Sequence, residues 1–174
     1  ATIVKGLQKE FPERLFMIER KGKLGLGTAY ITGFKWSIEK GYDYIFEKDA
    51  DFSHTPKDLP RLYKACHEEG ADVSIGSRYV SGVNVVNWPM GRVLMSYFAS
   101  KYVRFITGLP IHDTTAGFVC YRRKVLEAIH LDHIRFKGYA FQIEMKFTAY
   151  KCGFHITEVP VIFINRELGT SKMN

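Results

Sequence analysis

The sequence has no CxxC pair and no cysteine–histidine spacing of the kind that ligates zinc, so a zinc module is not expected. Its three cysteines, Cys66, Cys120 and Cys152, are odd in number and dispersed, which suits a reducing compartment. Cys120 and Cys152 stand in apolar surroundings and are expected in the core. The six histidines form no HExxH or H-x-H pattern, which leaves His54, beside an acidic motif, as a supporting residue at most. No apolar run approaches the roughly 20 residues needed to cross a bilayer. The N-terminus lacks the charged and apolar regions of a signal peptide. If the protein works at a membrane, it is expected to do so from the surface or through another segment. There is no repeat, no low-complexity linker and no dense basic run or RNA-binding aromatic motif, so no nucleic-acid partner is expected.

A chain of 174 residues suits one domain with a sizeable core. Aromatic residues make up 14%, a high share. The net charge is +7, which points to anionic partners such as nucleotide phosphates or acidic lipid, or to a basic surface kept for solubility.

The hydrophobic pattern alternates helix and strand. A short helix is expected around residues 2–11, then a strand at Arg14–Glu19 in which Leu15, Phe16, Met17 and Ile18 form a buried run. Residues 26–40 read as a helix with Tyr30, Phe34 and Ile38 four apart, stopped by Gly41. Tyr42–Lys48 is the next strand. Thr55, Pro56 and Asp58 form a helix start, with a cap, a proline in the first turn and an acid near the positive end. That helix runs to about Glu69, and Asp72–Gly76 is a further strand. The order implies an α/β domain with a mostly parallel sheet and right-handed crossovers. Further on, residues 91–107 read as a helix and Thr115–Tyr121 as a strand. Short helices at 123–129 and 138–151 and a strand at His155–Ile164 follow. These later elements are expected to wrap one edge of the sheet. The stripe Leu94, Phe98, Tyr102 and Phe105, flanked by Arg92, Lys101 and Arg104, either rests on a membrane surface or faces the core; the core is the expected side.

The chemistry concentrates at predicted strand ends. Asp49 and Asp51 follow the apolar run Tyr44–Phe46, two residues apart, where strand alternation points both side chains the same way. Such a pair can hold a hard divalent cation, which can in turn hold a diphosphate. A solvated turn explains the pair equally simply. Arg78 follows the next strand and Arg92 opens a helix. Arginine forks match phosphate oxygens, although an ion pair with an acid would also account for Arg78. Gly22–Thr28 is a glycine-rich entry to a helix without the lysine of a Walker loop, and serves either phosphate or a tight turn. Asp113 can orient a sugar hydroxyl or a neighbouring lysine, or simply make a turn. Gln142 and Glu144 can contact sugar or be satisfied within the core. Arg166, Ser171 and Lys172 lie in a late basic loop able to close over a diphosphate.

Seven motifs stand in one order: GLGTAYITGF, DADFSHTP, GSRYVSGV, WPMGR, DTTAGF, GYAFQIE and NRELGTSK. Together they closely resemble the polyprenol-phosphate mannosyltransferases, or dolichol-phosphate mannose synthases, of glycosyltransferase family 2, over nearly the whole chain. The resemblance implies one GT-A, Rossmann-like domain over residues 1–174. It implies transfer of mannose from GDP-mannose to a polyprenyl (dolichyl) phosphate, with inversion and with Mg²⁺ or Mn²⁺. The work would take place in the cytoplasm, at the cytoplasmic face of a membrane or on a membrane-anchoring partner. The family's metal and diphosphate carboxylates fall on Asp49 and Asp51. Its acceptor-phosphate arginines fall on Arg78 and Arg92. Its closing loop falls on Arg166 and Lys172 for the donor and Ser171 for the acceptor. Asp51, Arg78 and Arg92 are thereby the expected catalytic residues.

Two departures accompany the resemblance. The family opens with a strand carrying a Pro-x-Tyr-Asn-Glu-like motif that grips the base, and this chain starts inside the helix that follows. Lys48 stands where the family has an apolar residue, and its ammonium either pairs with a carboxylate or reaches past Glu47. A relative using another donor such as UDP-glucose, and an inactive subunit sharing the fold, are the alternative readings.

Overall fold

Aromatic residues four apart place one face of α2 (Leu26–Glu39) against a sheet: Phe34 meets the ring of Tyr121 edge-on at 5.5 Å, and Tyr30 stacks on Phe141 at 6.0 Å. The computed structural model, which describes residues 2–22 and 24–165, begins with α1 (Thr2–Glu10). After α2, Gly41 takes a positive φ of 85°, which a side chain would resist, and the chain turns into β1 (Tyr44–Glu47). The Thr55 side chain accepts a hydrogen bond from the Lys57 N–H and starts a 3-10 turn (Pro56–Asp58) that leads into α3 (Leu59–His67). Next come β2 (Val73–Ser77), β3 (Val85–Val86) and α4 (Met90–Thr107). The chain then forms β4 (Val119–Arg122), α5 (Arg123–Ala128) and a 3-10 turn (Leu131–His133). It closes with α6 (Ala140–Lys151), β5 (Ile156–Pro160) and β6 (Phe163–Ile164).

The fold is α/β, with a four-stranded sheet in the order β1-β4-β2-β5 and a small second sheet of β3 and β6. β1, β2 and β5 run the same way, but β2–β5 is the one parallel ladder of the three, so the sheet is mixed where a mostly parallel one was expected. Its neighbours differ from expectation. β4 inserts antiparallel between β1 and β2, pairing Phe46 with Cys120 on one side and Ser74 with Cys120 on the other. The second half of the chain therefore supplies a central strand as well as the edge strand β5. The reason is burial on both faces. Val119 and Tyr121 join the layer of α2, α5 and α6, while Phe118 and Cys120 join that of α3 through Leu62 and Cys66. A strand apolar on both sides is most stable in the middle of a sheet.

Three further expectations are corrected. Residues 14–19 form no strand; Phe16 and Ile18 are exposed and Leu15 and Met17 half-buried. The alternation survives, but no described strand runs beside the segment to complete a ladder. Cys152 is exposed, on the turn after α6, whereas Cys66 and Cys120 are buried. The stripe on α4 does not face the core: Leu94, Phe98, Tyr102 and Phe105 are 47, 59, 68 and 86% exposed. Ser100 is the one fully buried residue of that helix.

Candidate active site

β1 delivers its C-terminal end to a loop of successive bends over residues 50–54. Asp51 shapes this loop itself: its Oδ1 accepts from the Ser53 N–H at 3.1 Å and from Ser53 Oγ at 2.5 Å, and Phe52 adopts a left-handed φ of 62°. Strand alternation thus does not orient Asp49 and Asp51, because neither lies on the strand. Tyr30 of α2 gathers them instead. Its hydroxyl donates to Asp49 Oδ1 at 3.1 Å. Burial, then the charges of Asp49, Glu47 and Asp51, raise its pKa. Asp49 touches this phenol, and Glu47 and Asp51 act on it through charge.

His54 follows, buried between the rings of Phe118 and Phe163 at 5.0 Å each. Its pKa falls to about 4, chiefly through burial, with Arg78 and Lys48 adding to the effect and Asp51 and Asp113 opposing it. The imidazole is thus held neutral, packed between two rings and within reach of the charges of Arg78, Lys48, Asp51 and Asp113.

Arg78 sits just past β2 and is 8% exposed. Its Nε and Nη2 donate to Asp113 at 2.6 and 2.7 Å, its backbone N–H to Asp113 Oδ2 at 3.0 Å, and Nη2 also to Thr115 Oγ1 at 2.9 Å. Of the two readings of Arg78, the ion pair is the one present. Burial works against both charges, and their mutual hydrogen bonds outweigh it, raising the pKa of Arg78 and lowering that of Asp113. The pairing uses Nε and Nη2 and leaves Nη1 for an outside anion. Asp113, expected beside a sugar or a lysine, is the anchor of an arginine. Glu158 fixes it in turn, accepting from the N–H groups of His112 and Asp113 at 2.7 and 2.9 Å.

Arg92 reaches the same place from the first turn of α4. Its guanidinium lies 4.0 Å from the centroid of Trp88, and Arg78 lies 5.4 Å from the same ring. Nη1 of Arg92 donates to Asn165 Oδ1 at 3.3 Å. The strand β6 locks these parts together. Ile164 N–H bonds the Ser53 carbonyl, Asn165 N–H that of Val86, and Phe163 N–H that of Asn84. The acidic loop and both arginines are thus brought together. Arg166, Ser171 and Lys172, expected to close over them, lie outside the described residues.

The α6 residues divide. Gln142 and Glu144 are two apart on a helix and so point to different sides. Glu144 accepts from the backbone of Arg135 and Phe136 at 2.9 to 3.1 Å and holds that loop, which takes it away from the acids. Gln142 is buried, its Oε1 accepting from Lys146 at 3.3 Å and its Nε2 lacking an acceptor. Fully buried Lys146 also donates to the carbonyls of Ala116 and Gln142 at 2.6 and 3.1 Å, which uses its three N–H groups. Neither oxygen of buried Glu47 makes a hydrogen bond of normal geometry among the described residues, and the Gln142 amide and the Lys146 ammonium are the groups that act on it. Burial raises the pKa of Glu47, against the pull of Lys146 and Gln142, and lowers that of Lys146, against the pull of Glu47. Sequence reasoning passed over this pair, together with Tyr30 and Trp88. The glycine-rich entry to α2 is a packing turn. A side chain at Gly27 would strike Phe141 at 2.7 Å, and its N–H is taken by the Lys137 carbonyl.

The chain matches the family described as Glycosyl transferase family 2 over residues 1–130. It is 49% identical, over 94% of its length, to a polyprenol monophosphomannose synthase of Mycolicibacterium smegmatis. It is also 49% identical, over 91% of its length, to an undecaprenyl-phosphate mannosyltransferase of Micrococcus luteus. The chain spans 61 and 64% of the length of these two relatives. A solved glucosyl-3-phosphoglycerate synthase from Mycobacterium tuberculosis aligns with 95% of the chain and 52% of its own, at TM-score 0.49 and 16% identity.

Proposed function

The chain belongs to glycosyltransferase family 2, and from that premise we propose that it transfers mannose from GDP-mannose to a polyprenyl phosphate, inverting the anomeric centre. One observation carries the reading: the guanidiniums of Arg92 and Arg78 lie 4.0 and 5.4 Å from the centroid of the Trp88 ring, and β6 ties this group to the acidic loop through the Ile164 N–H on the Ser53 carbonyl. Such a site can hold two anionic phosphates at once. The names of the two relatives favour mannose over glucose as the sugar; the guanosine of the donor comes from the motif resemblance.

Asp49 and Asp51 offer hard oxygen donors, and among the described residues no cluster of three acids, histidines or cysteines surrounds them. Two carboxylates fit Mg²⁺ or Mn²⁺ shared with a substrate diphosphate. When bound, that ion would neutralise charge on the departing diphosphate. The chain's own groups do the rest. Arg78 and Arg92 hold the attacking phosphate monoester, which is already an anionic nucleophile and requires no base. Asp113 keeps Arg78 edge-on, Tyr30 keeps Asp49 in place, and burial of this layer limits reorganisation as charge shifts. Arg166 and Lys172 would close on the donor phosphates and Ser171 on the acceptor. Gln142 Nε2 is the candidate sugar contact, and Glu144 acts through the 135–136 loop.

The exposed face of α4 supports work at a membrane surface. It starts at Arg92 and carries Leu94, Phe98, Tyr102 and Phe105 beside Lys101 and Arg104. Apolar side chains flanked by bases suit the boundary of an anionic bilayer, where a polyprenyl phosphate presents its headgroup. Among the described residues no helix is long and apolar enough to cross a membrane. The test of the reading is sugar transfer by the full-length protein from a panel of labelled nucleotide sugars to polyprenyl phosphate. GDP-mannose is expected to be the donor used; preference for UDP-glucose, or no transfer at all, would overturn it.

A further inference from the structure

Two buried donors beside the arginines have no acceptor among the described residues: Trp88 Nε1 and Arg92 Nε. Folded proteins leave few buried N–H groups unpaired, and an orphan marks the place of a water, an ion or a ligand. These two are neighbours, since the Arg92 guanidinium lies on the Trp88 ring at 4.0 Å. The other side chains near the ring give them nothing to bind. Phe163, at 5.2 Å, is apolar, and Arg78, at 5.4 Å, is itself a donor already directed at Asp113. Charge leads the same way. Asp113 compensates Arg78 within a bidentate pair, but the hydrogen-bond acceptor of Arg92 is the neutral amide of Asn165. Among the described residues, the surroundings of the indole thus hold one uncompensated positive charge and two unused N–H donors, which call for an acceptor-rich anion.

We propose that Trp88 is a binding residue for the phosphate monoester of the acceptor. Its ring face holds both guanidiniums in place by cation–π contact, and its indole N–H, together with Nε–H of Arg92, donates to phosphate oxygens. The identity of the ligand rests on the function proposed above; the assignment adds a neutral donor to the arginines already expected there. A neutral N–H recognises oxygen acceptors without adding charge that the leaving diphosphate would also attract.

The experiment uses the full-length protein and three probes: farnesyl phosphate, inorganic phosphate and farnesol. In a proton–nitrogen correlation spectrum, the indole cross-peak missing from Trp88→Phe is that of Trp88. Farnesyl phosphate is expected to move this peak saturably, inorganic phosphate to move it in the same direction at higher concentration, and farnesol to leave it unchanged. In transfer assays, Trp88→Phe keeps a ring and loses the N–H. It is expected to raise the acceptor KM about tenfold, as for loss of a hydrogen bond to a charged group, with the donor KM unchanged. Trp88→Leu, which loses the ring as well, is expected to lower kcat in addition. A cross-peak that ignores both phosphates, or moves with farnesol alone, would overturn the assignment. So would Trp88→Phe with a wild-type acceptor KM. If the wild-type protein transfers no sugar to any prenyl phosphate, the functional reading fails by itself, and the titration still decides for or against Trp88 as a phosphate ligand.

Discussion

Asp113 grips Arg78 at three points, with 2.6 Å to Nε, 2.7 Å to Nη2 and 3.0 Å to the backbone N–H. Both groups are almost wholly buried, so neither can be removed without stranding the other. Breaking such a pair costs about 3–5 kcal/mol. Asp113→Ala is therefore expected to lower the melting temperature by roughly 10 °C and to raise the acceptor KM, because Arg78 is released from its fixed edge. Calorimetry and acceptor titration check the two effects; an unchanged melting temperature would remove the anchoring role.

Lys146 and Glu47 are both fully buried and act on each other through charge, without a direct ion pair. Lys146 also ties the Ala116 carbonyl to the start of α6. Lys146→Met is expected to destabilise the protein by about 3 kcal/mol, and the double variant Glu47→Gln/Lys146→Met by less, since no unpaired charge remains. Urea unfolding of the single and double variants measures the coupling. Additive losses would mean that the two side chains do not act on each other.

His54 gives the protein an acid sensitivity whose sign is fixed. Its pKa in the folded chain is about 4, below the ordinary value of roughly 6.5. Between those values the unfolded chain binds a proton that the folded chain refuses. The stabilisation is thus fully present above about pH 6.5 and is lost as the pH falls toward 4, by on the order of 3 kcal/mol. His54→Phe, which keeps a ring between Phe118 and Phe163, is expected to flatten stability across that window. A slope identical to wild type would contradict the burial of a neutral imidazole.

The exposed face of α4 is expected to hold the full-length protein on vesicles containing anionic lipid. Phe98→Ser/Phe105→Ser should reduce flotation with such vesicles severalfold while leaving the melting temperature within about 2 °C, because both side chains are already in solvent. Unchanged flotation would end the membrane role of this helix.

Much of the local structure is legible in the sequence because its causes are local. Tyr30, Phe34 and Ile38 mark one face of α2, and Thr55-Pro56 announces the turn before α3. The sheet order is not legible in this way. Val119, Cys120 and Tyr121 reveal a strand, but its place between β1 and β2 depends on partners far along the chain. The stripe on α4 reads identically for a core and for a membrane, and packing alone separates the two. Of the candidate site, the acids and arginines are visible as motif residues. The residues that hold them are not visible. Tyr30 looks like one more core aromatic, Trp88 like the flank of Arg92, and Glu47 like the end of a strand. Each becomes recognisable only once a distant partner lies beside it.

In the proposed mechanism Asp49 and Asp51 hold a divalent cation for a departing diphosphate while Arg78 and Arg92 hold the incoming phosphate. The most direct test is Mn²⁺ binding by the full-length protein, followed by electron paramagnetic resonance with and without GDP, in wild type and in Asp51→Asn. Wild type is expected to bind Mn²⁺ more tightly with GDP present. Asp51→Asn is expected to lose that gain together with about 3 kcal/mol of transition-state stabilisation, roughly a hundredfold in transfer rate. Equal Mn²⁺ binding by the two proteins, or transfer that persists in excess EDTA, would contradict the account.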